Sequence, residues 1–249
     1  MSDAEFKLPP IAGYHPVTLI DWPGRIAAVV FLPRCNLRCS FCHAGPLLKE
    51  PQETIPLEAI LEHLASRAGW IDGVVICGGE PTLWPGIGRL CEEFRRLGLA
   101  VKLDTNGTNP DRLEALLGAG LVDAVAMDLK APIDERYHGV AGTRTDLRAI
   151  NRSIDLLMES GVEYEFRTTV CPAFLAEDEI HAIGKRIAGA RLWVLQRFEP
   201  ANALDPILRT CEPYNIDRME SLAEIGRGYV ARCPIRGQPE KDRMAAKPS

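Results

Sequence analysis

Three cysteines lie close together in the segment 33–42, whose sequence PRCNLRCSFC has the pattern C-x3-C-x2-C at Cys35, Cys39 and Cys42. Three thiolates on one loop can hold three corners of an iron-sulfur cube, whereas a closed structural metal site requires four protein ligands. The pattern therefore predicts a cluster with one iron left open to bind something other than protein.

A tetrahedral zinc site is the alternative, with His43, directly after Cys42, as the candidate fourth ligand. Zinc ribbons bring their ligands in two separated pairs, and the sequence contains no second C-x2-C and no H-x3-H pattern. Only 8 of the 249 residues are Cys, which makes chance spacing of three unrelated thiols a weaker explanation still. The cluster interpretation is favoured.

Composition and charge exclude several classes of protein. The net charge of -5 provides no basic footprint for nucleic acid or anionic lipid. The longest apolar runs, such as 26–32, are far too short to span a membrane. The N-terminus lacks the positive start and apolar core of a signal peptide. We therefore expect a cytoplasmic protein that contacts neither nucleic acid nor membrane.

Short apolar runs alternate with amphipathic stretches along the chain. The predicted strands are 26–32, 73–77, 100–104, 122–128, 162–170 and 192–196. The predicted helices are 57–67, 87–97, 110–117, 147–160 and 177–187. This alternation predicts an α/β fold with parallel strands and right-handed crossovers. Six such units are too few for an eight-stranded barrel, so we expect a partial (β/α)6 TIM-like barrel rather than a doubly wound sheet.

The chain is expected to divide into four segments. An N-terminal extension, 1–22, packs on the barrel, which occupies 23–200. A C-terminal helical segment covers 201–236, and a disordered tail covers 237–249.

Unusual polar or glycine-rich residues follow the predicted strands. The first strand leads into the cysteine loop, the second into 78–82 (GGEPT) and the third into 104–107 (DTNG). The fourth strand ends with Asp128 and leads to Lys130, and Arg167 lies near the end of the fifth. Each motif alone is also consistent with a simple turn. Because chemistry in α/β barrels gathers at the carboxyl ends of the strands, their shared position favours a cofactor site there.

These motifs resemble those of radical S-adenosylmethionine enzymes. More narrowly, they are similar to the activating proteins of glycyl-radical enzymes, above all to the family that activates anaerobic ribonucleoside-triphosphate reductase. The resemblance extends over residues 17–200. It rests on the cysteine motif, 19–24 (LIDWPG), 78–82, 103–108 (LDTNGT) and 127–132 (MDLKAP).

The resemblance implies that Cys35, Cys39 and Cys42 ligate a four-iron, four-sulfur (4Fe-4S) cluster whose open iron chelates the amino and carboxylate groups of S-adenosylmethionine. It implies no catalytic residue beyond those that bind the cofactors. The implied cofactor-binding residues are Phe41, His43, Gly78, Gly79, Glu80, Asp104, Asn106, Asp128, Lys130 and Arg167.

Within this set, the resemblance implies that Phe41 and His43 flank the adenine. Gly79 and Glu80 would receive the methionine ammonium, because glycine allows close backbone approach and the carboxylate is a charge-assisted acceptor. Asp128 and Lys130 would meet the ribose or the methionine end of the cofactor. For Arg167, a structural salt bridge is an equal alternative to a cofactor contact.

A monovalent cation near Asp104 and Asp128 is also implied, since hard oxygen donors at two adjacent strand ends suit such an ion. The implied reaction is reductive cleavage of S-adenosylmethionine to a 5'-deoxyadenosyl radical, which takes a hydrogen atom from a glycine of a partner protein. The implied partners are anaerobic ribonucleotide reductase and a flavodoxin- or ferredoxin-like electron donor. The alternatives are a radical enzyme acting on a small molecule, similar to 7-carboxy-7-deazaguanine synthase, and a non-enzymatic metal-stabilised module.

The remaining cysteines show no ligand spacing. Cys77, Cys91, Cys171 and Cys211 are expected to be small buried hydrophobic residues. Cys233 is expected to be solvated, like the tail that follows it.

Overall fold

The computed structural model describes residues 7–49, 51 and 53–237. Its strands are β1 (Gly13–Thr18), β2 (Ala27–Leu32), β3 (Gly73–Gly78), β4 (Ala100–Thr105), β5 (Ala124–Asp128), β6 (Glu163–Val170), β7 (Trp193–Arg197) and β8 (Ile235–Arg236). Its α-helices are α1 (Leu57–Ser66), α2 (Ile87–Arg96), α3 (Pro110–Gly118), α4 (Arg136–Ala141), α5 (Leu147–Glu159), α6 (Glu177–Arg186) and α7 (Ile216–Arg227). Within these described ranges, every helix is too short or too polar to cross a membrane.

The predicted elements are confirmed. All six predicted strands and all five predicted helices are present, and their ends differ from the prediction by at most two residues. The α/β class with mostly parallel strands is therefore confirmed. The prediction missed β1, α4 and β8, whereas α7 falls within the segment predicted to be helical.

The chain forms two compact units. The first comprises Met1–Asn36, Pro46–Met127 and Arg148–Tyr164, and the second comprises Leu37–Gly45, Asp128–Leu147 and Glu165–Ser249, each as far as it is described. The predicted boundaries after residues 22, 200 and 236 stay predictions. Residues 1–6 of the predicted extension and 238–249 of the predicted tail lie outside the described residues.

The sheet of the first unit is ordered β1-β2-β3-β4-β5. β1 pairs antiparallel with β2, while β2 through β5 are parallel. Pro16 in β1 is typical of an edge strand, because proline has no N–H to donate to a neighbour. Since β2 to β5 run the same way, the residues that follow them emerge at one edge of this sheet.

One cluster of buried residues in the first unit contains the indole of Trp22. Trp22 is 1% exposed and packs with Ala27 and Val29 of β2, Val75 of β3 and Ala124 of β5. Ala27 and Val29 lie two residues apart on a strand, so both side chains point to the same face. The segment before β2 is thereby fixed to that face of the sheet.

In the second unit, β6, β7 and β8 are parallel. Arg236 of β8 donates to both carboxylate oxygens of Glu165 of β6, at 3.2 and 3.0 Å. The prediction that Cys233 is solvated was wrong, because Cys233 is 2% exposed. Its thiol fills the space over Gly226 of α7, where an added Cβ would lie 2.4 Å from the sulfur.

We predict that Trp22→Ala lowers the free energy of unfolding by about 3–5 kcal/mol, because it empties a large volume in the core. Trp70→Ala is the matched control, since Trp70 is 76% exposed, and should change stability by less than about 0.5 kcal/mol. Urea unfolding of the two variants measures both. Equal effects would contradict the packing described for Trp22.

Candidate functional site

Two glycines let the backbone that follows β3 approach the backbone that follows β2. A Cβ added to Gly78 would lie 2.4 Å from the Leu32 carbonyl oxygen, and one added to Gly79 would lie 2.0 Å from that of Arg34. Gly78 also has a φ of +113°, a conformation that L side chains rarely adopt. The Gly79 N–H donates to the Leu32 carbonyl at 2.8 Å. The predicted glycine-rich turn therefore lies beside the segment that leads to the first cysteine.

Glu80 is fully buried, with 0% of its surface exposed. Its Oε1 accepts from the Thr82 N–H at 3.0 Å and from the hydroxyls of Thr82 and Thr105 at 2.6 and 2.7 Å. Its Oε2 accepts from the Asn106 N–H at 2.6 Å. Burial raises the pKa of the Glu80 carboxyl, and these hydrogen bonds oppose that rise. The carboxylate thus holds the DTNG turn against the GGEP turn, a different task from the predicted contact with the methionine ammonium.

Asn106 connects the DTNG turn to the first cysteine of the motif. Its Nδ2 lies 3.8 Å from Cys35 Sγ and 2.9 Å from Asn36 Oδ1. Asn36 Nδ2 in turn donates to Thr108 Oγ1 at 2.8 Å. An N–H donor beside a thiolate stabilises its negative charge. The structure therefore brings together two residues, Cys35 and Asn106, that were predicted for different cofactors.

Lys102 was not predicted, yet it contacts a predicted site residue. Its Nζ donates to Asp104 Oδ1 and to the Asp21 carbonyl oxygen, both at 2.8 Å. The Lys102 side chain is only 4% exposed. The sequence contained a signal for this contact, because Lys102 precedes Asp104 by two residues in a strand and its neighbours there are apolar. Side chains two residues apart on a strand lie on the same face.

In the second unit, Asp128 lies between two cationic side chains. Arg167 Nε is 2.8 Å from its Oδ1, and Lys130 Nζ is 2.8 Å from its Oδ2. Burial by itself would raise the pKa of the Asp128 carboxyl, but Arg167 and Lys130 outweigh it and hold this pKa well below its usual range. The salt bridge considered for Arg167 is present, and its cofactor contact stays a prediction.

The two residues predicted to flank an adenine also have defined neighbours in the second unit. Lys130 Nζ lies over the Phe41 ring, 5.8 Å from its centroid. The His43 ring lies 6.4 Å from that of Phe198, centroid to centroid, and His43 Nε2 is hydrogen bonded to the Glu199 carbonyl. These contacts orient both rings.

A close backbone contact supports the segment around the other two cysteines. The Cys42 N–H donates to the Cys39 carbonyl at 3.0 Å, which makes a tight turn. A Cβ on Gly142, just after α4, would lie 2.0 Å from the Arg38 carbonyl oxygen. Ser40 Oγ, within the turn, is buried and has no hydrogen-bond partner among the described residues. A buried hydroxyl without a partner is expected where a bound group supplies the missing hydrogen bond.

None of the eight cysteines forms a disulfide bond; Cys91 and Cys171 are buried, as predicted, whereas Cys77 and Cys211 are half-buried. In the ranges 7–49, 51 and 53–237, no three His, Cys, Asp or Glu side chains form a group that could hold a single metal ion. A four-iron cluster poses a different requirement, because each thiolate binds its own iron and the three sulfurs need not meet around one ion. The donor chemistry of the motif fits such a cluster.

Comparison with known proteins decides the family. Residues 29–183 match the model of the radical SAM superfamily. The chain belongs to this superfamily. It is therefore an enzyme, and the superfamily implies a 4Fe-4S cluster and S-adenosylmethionine as its cofactors.

The chain is also similar to individual proteins and to solved structures. A protein of Methanocaldococcus jannaschii, provisionally named a glycyl-radical enzyme activating enzyme, is 31% identical over 91% of this chain and 95% of its own length. The pyruvate formate-lyase-activating enzyme of Clostridium pasteurianum is 29% identical over 65% of this chain and 68% of its own. The crystal structure of Streptococcus suis SuiB bound to precursor peptide SuiA has the same fold, with a TM-score of 0.66 at 17% identity. That match covers 84% of this chain but 48% of SuiB.

We predict that Gly79→Ala destabilises the protein by about 2–3 kcal/mol, because the added methyl group would overlap the Arg34 carbonyl. Gly118→Ala is the matched control: a Cβ there meets nothing within 4 Å, and alanine favours the helix. Thermal unfolding of both variants measures the difference. A neutral Gly79→Ala would contradict the close approach.

We predict that Asp128→Asn lowers the free energy of unfolding at pH 7 by about 3 kcal/mol, because Lys130 and Arg167 lose their counter-charge. The folded pKa of Asp128 is depressed, so its contribution is fully present above the unfolded pKa of about 3.9 and is lost as pH falls through the folded pKa. The difference from wild type should thus be constant from about pH 8 to pH 5 and shrink below about pH 4.

The measurement is urea unfolding at several pH values. Asp134→Asn is the control: Asp134 pairs with Arg136 at 2.6 Å, but both side chains are 47% exposed, and its cost should stay below about 1 kcal/mol. A difference for Asp128→Asn that does not shrink in acid would be evidence against the ion-paired carboxylate.

Proposed function

We propose that this enzyme activates a glycyl-radical enzyme, using S-adenosylmethionine to generate a glycyl radical on the partner protein. The observation that carries the proposal is the match to the Methanocaldococcus jannaschii relative, which extends over 91% of this chain and 95% of the relative. A match of nearly full length supports shared chemistry more strongly than the fold does, because one fold hosts many activities.

In this proposal Cys35, Cys39 and Cys42 hold the 4Fe-4S cluster. When bound and reduced, the cluster together with S-adenosylmethionine supplies a 5'-deoxyadenosyl radical that abstracts a hydrogen atom from a glycine. The protein contributes orientation. Asn106, at 3.8 Å from Cys35 Sγ, provides a donor beside the first thiolate.

The proposed cofactor contacts follow the geometry of each unit. In the first unit, backbone groups at Gly78 and Gly79 receive the methionine ammonium, while the Glu80 carboxylate holds the neighbouring DTNG turn. Asp104, whose side chain is 13% exposed, is a further proposed cofactor-binding residue of this unit.

In the second unit, Phe41 and His43 flank the adenine, and Lys130, held by Asp128 at 2.8 Å, meets the ribose or the methionine carboxylate. Arg167 orients Asp128. The monovalent cation near Asp104 and Asp128 is part of the proposal, although both carboxylates already have cationic partners.

The finer proposal names anaerobic ribonucleoside-triphosphate reductase as the partner and a flavodoxin- or ferredoxin-like protein as the electron donor. Its support is the combination of the C-x3-C-x2-C, LDTNGT and MDLKAP motifs in one chain. The three-residue gap between the first two cysteines argues against the alternative of a 7-carboxy-7-deazaguanine synthase-like enzyme, a group that tends to have a longer gap.

We predict that anaerobically reconstituted protein contains iron and sulfide, forms 5'-deoxyadenosine with reductant, and yields a glycyl radical on anaerobic ribonucleotide reductase. Cys39→Ser should lower 5'-deoxyadenosine formation about 100-fold or more, because a cluster ligand is lost. Cys211→Ser, at a half-buried thiol outside the motif, should leave it unchanged. Iron analysis and electron paramagnetic resonance provide the readouts.

Different outcomes test the partner enzyme, the radical chemistry and the cluster separately. Formation of 5'-deoxyadenosine without a glycyl radical would reject the partner and retain the superfamily chemistry. Turnover of a pterin-like substrate with no protein partner would instead favour the small-molecule enzyme. Zinc without iron in oxygen-free preparations would reject the proposed cluster.

A further inference from the structure

A buried amine joins two segments of the first unit that are far apart in sequence. Lys102 Nζ lies 2.8 Å from Asp104 Oδ1 and 2.8 Å from the carbonyl oxygen of Asp21. Its side chain is 4% exposed, and its strand neighbours Val101 and Leu103 are both fully buried. Lys102 thus connects the LIDWPG segment, 19–24, to a proposed cofactor residue.

The net stability of this arrangement does not explain the charge. Removing an ammonium group from water is costly, and a buried ion pair commonly gains little over apolar residues of the same size. A side chain that served only packing at this buried position would be apolar. What the pair does provide is orientation. With Oδ1 held by Lys102, rotation of the Asp104 carboxylate is restricted and the direction of Oδ2 is determined.

The second contact of Lys102 is equally well defined. The Thr18 hydroxyl donates to Asp21 Oδ2 at 2.5 Å, and the indole of Trp22 is buried in the core, 1% exposed. The backbone around Asp21 is therefore fixed on both sides of its carbonyl. The Asp21 carbonyl that accepts from Lys102 is therefore held in place. This contact restricts movement of the Lys102 amine if the Asp104 carboxylate rotates.

We propose that Lys102 is a positioning residue that orients the Asp104 carboxylate toward S-adenosylmethionine. It does so by donating hydrogen bonds to Asp104 Oδ1 and to the Asp21 carbonyl oxygen at the same time. This inference rests on the proposed function, in which Asp104 contacts the cofactor. It adds a residue that acts through its contact with Asp104.

The test is a double-mutant cycle on S-adenosylmethionine binding. The cluster-loaded wild type, Lys102→Met, Asp104→Asn and the double variant are titrated anaerobically by calorimetry to obtain the dissociation constant. Each single substitution should raise the dissociation constant about 10-fold, and the double variant should also be about 10-fold weaker, because the two residues act as one unit. Lys102→Arg, which keeps the charge, should recover part of the affinity.

Arg95→Met is the matched control. Arg95 pairs with Asp123 at 2.8 Å, and Asp123 also accepts from the Val101 N–H near the start of β4, the end opposite to Asp104. The dissociation constant of Arg95→Met for S-adenosylmethionine should stay within about twofold of wild type. If Lys102→Met does not fold, as judged by its melting temperature, Lys102→Gln takes its place in the cycle.

Two results overturn the inference. The first is an unchanged dissociation constant for Lys102→Met. The second is a double variant about 100-fold weaker, the product of the single effects, which would show that Lys102 acts independently of Asp104. If Asp104→Asn itself binds normally, the inference also fails. The proposed function is judged separately, by whether wild-type protein forms 5'-deoxyadenosine and a glycyl radical.

Discussion

The candidate site of the first unit depends on one buried carboxylate. Glu80 is fully enclosed, and four hydrogen bonds from Thr82, Thr105 and Asn106 replace the water that its charge has lost. Hydrogen bonds to a charged group contribute about 1.5–3 kcal/mol each, and an unsatisfied charge here would be very costly. The GGEP and DTNG turns are therefore held in one arrangement, which also places Asn106 beside Cys35.

The same physical device recurs in both units at the ends of strands. Lys102 pairs with Asp104, and Lys130 pairs with Asp128. In each pair the residues are two apart in sequence. Lys102 and Asp104 both lie in β4, whose pleat directs both side chains to one face, whereas Lys130 lies two residues after the end of β5. Low exposure strengthens these ion pairs compared with surface pairs such as Asp134 with Arg136. A carboxylate held in this way has a restricted orientation, which suits contact with a charged cofactor.

Much of the fold followed from local patterns. Runs such as 26–32 and 100–104 predicted strands, and the apolar spacing in 57–67 predicted a helix, because side-chain periodicity is a property of consecutive residues. The elements β8 and α4 were missed because two residues of strand and less than two turns of helix are too few to show a period. The strand β1 was missed because it contains Pro16 and is largely exposed, so it lacks the apolar run that marks the other strands. The cysteine motif was recognisable for the same reason as the long elements: its spacing lies within one loop.

The amino-acid sequence by itself determined the superfamily, the order of strands and helices, and the set of candidate ligands. Only the tertiary structure decided which side chains contact one another. Glu80 is turned inward by donors at positions 105 and 106, Lys102 reaches the carbonyl of Asp21, and Cys233 is covered by α7 rather than by water. These contacts join residues that are distant along the chain, so no local spacing encodes them; they arise when packing brings desolvated polar groups within reach of one another.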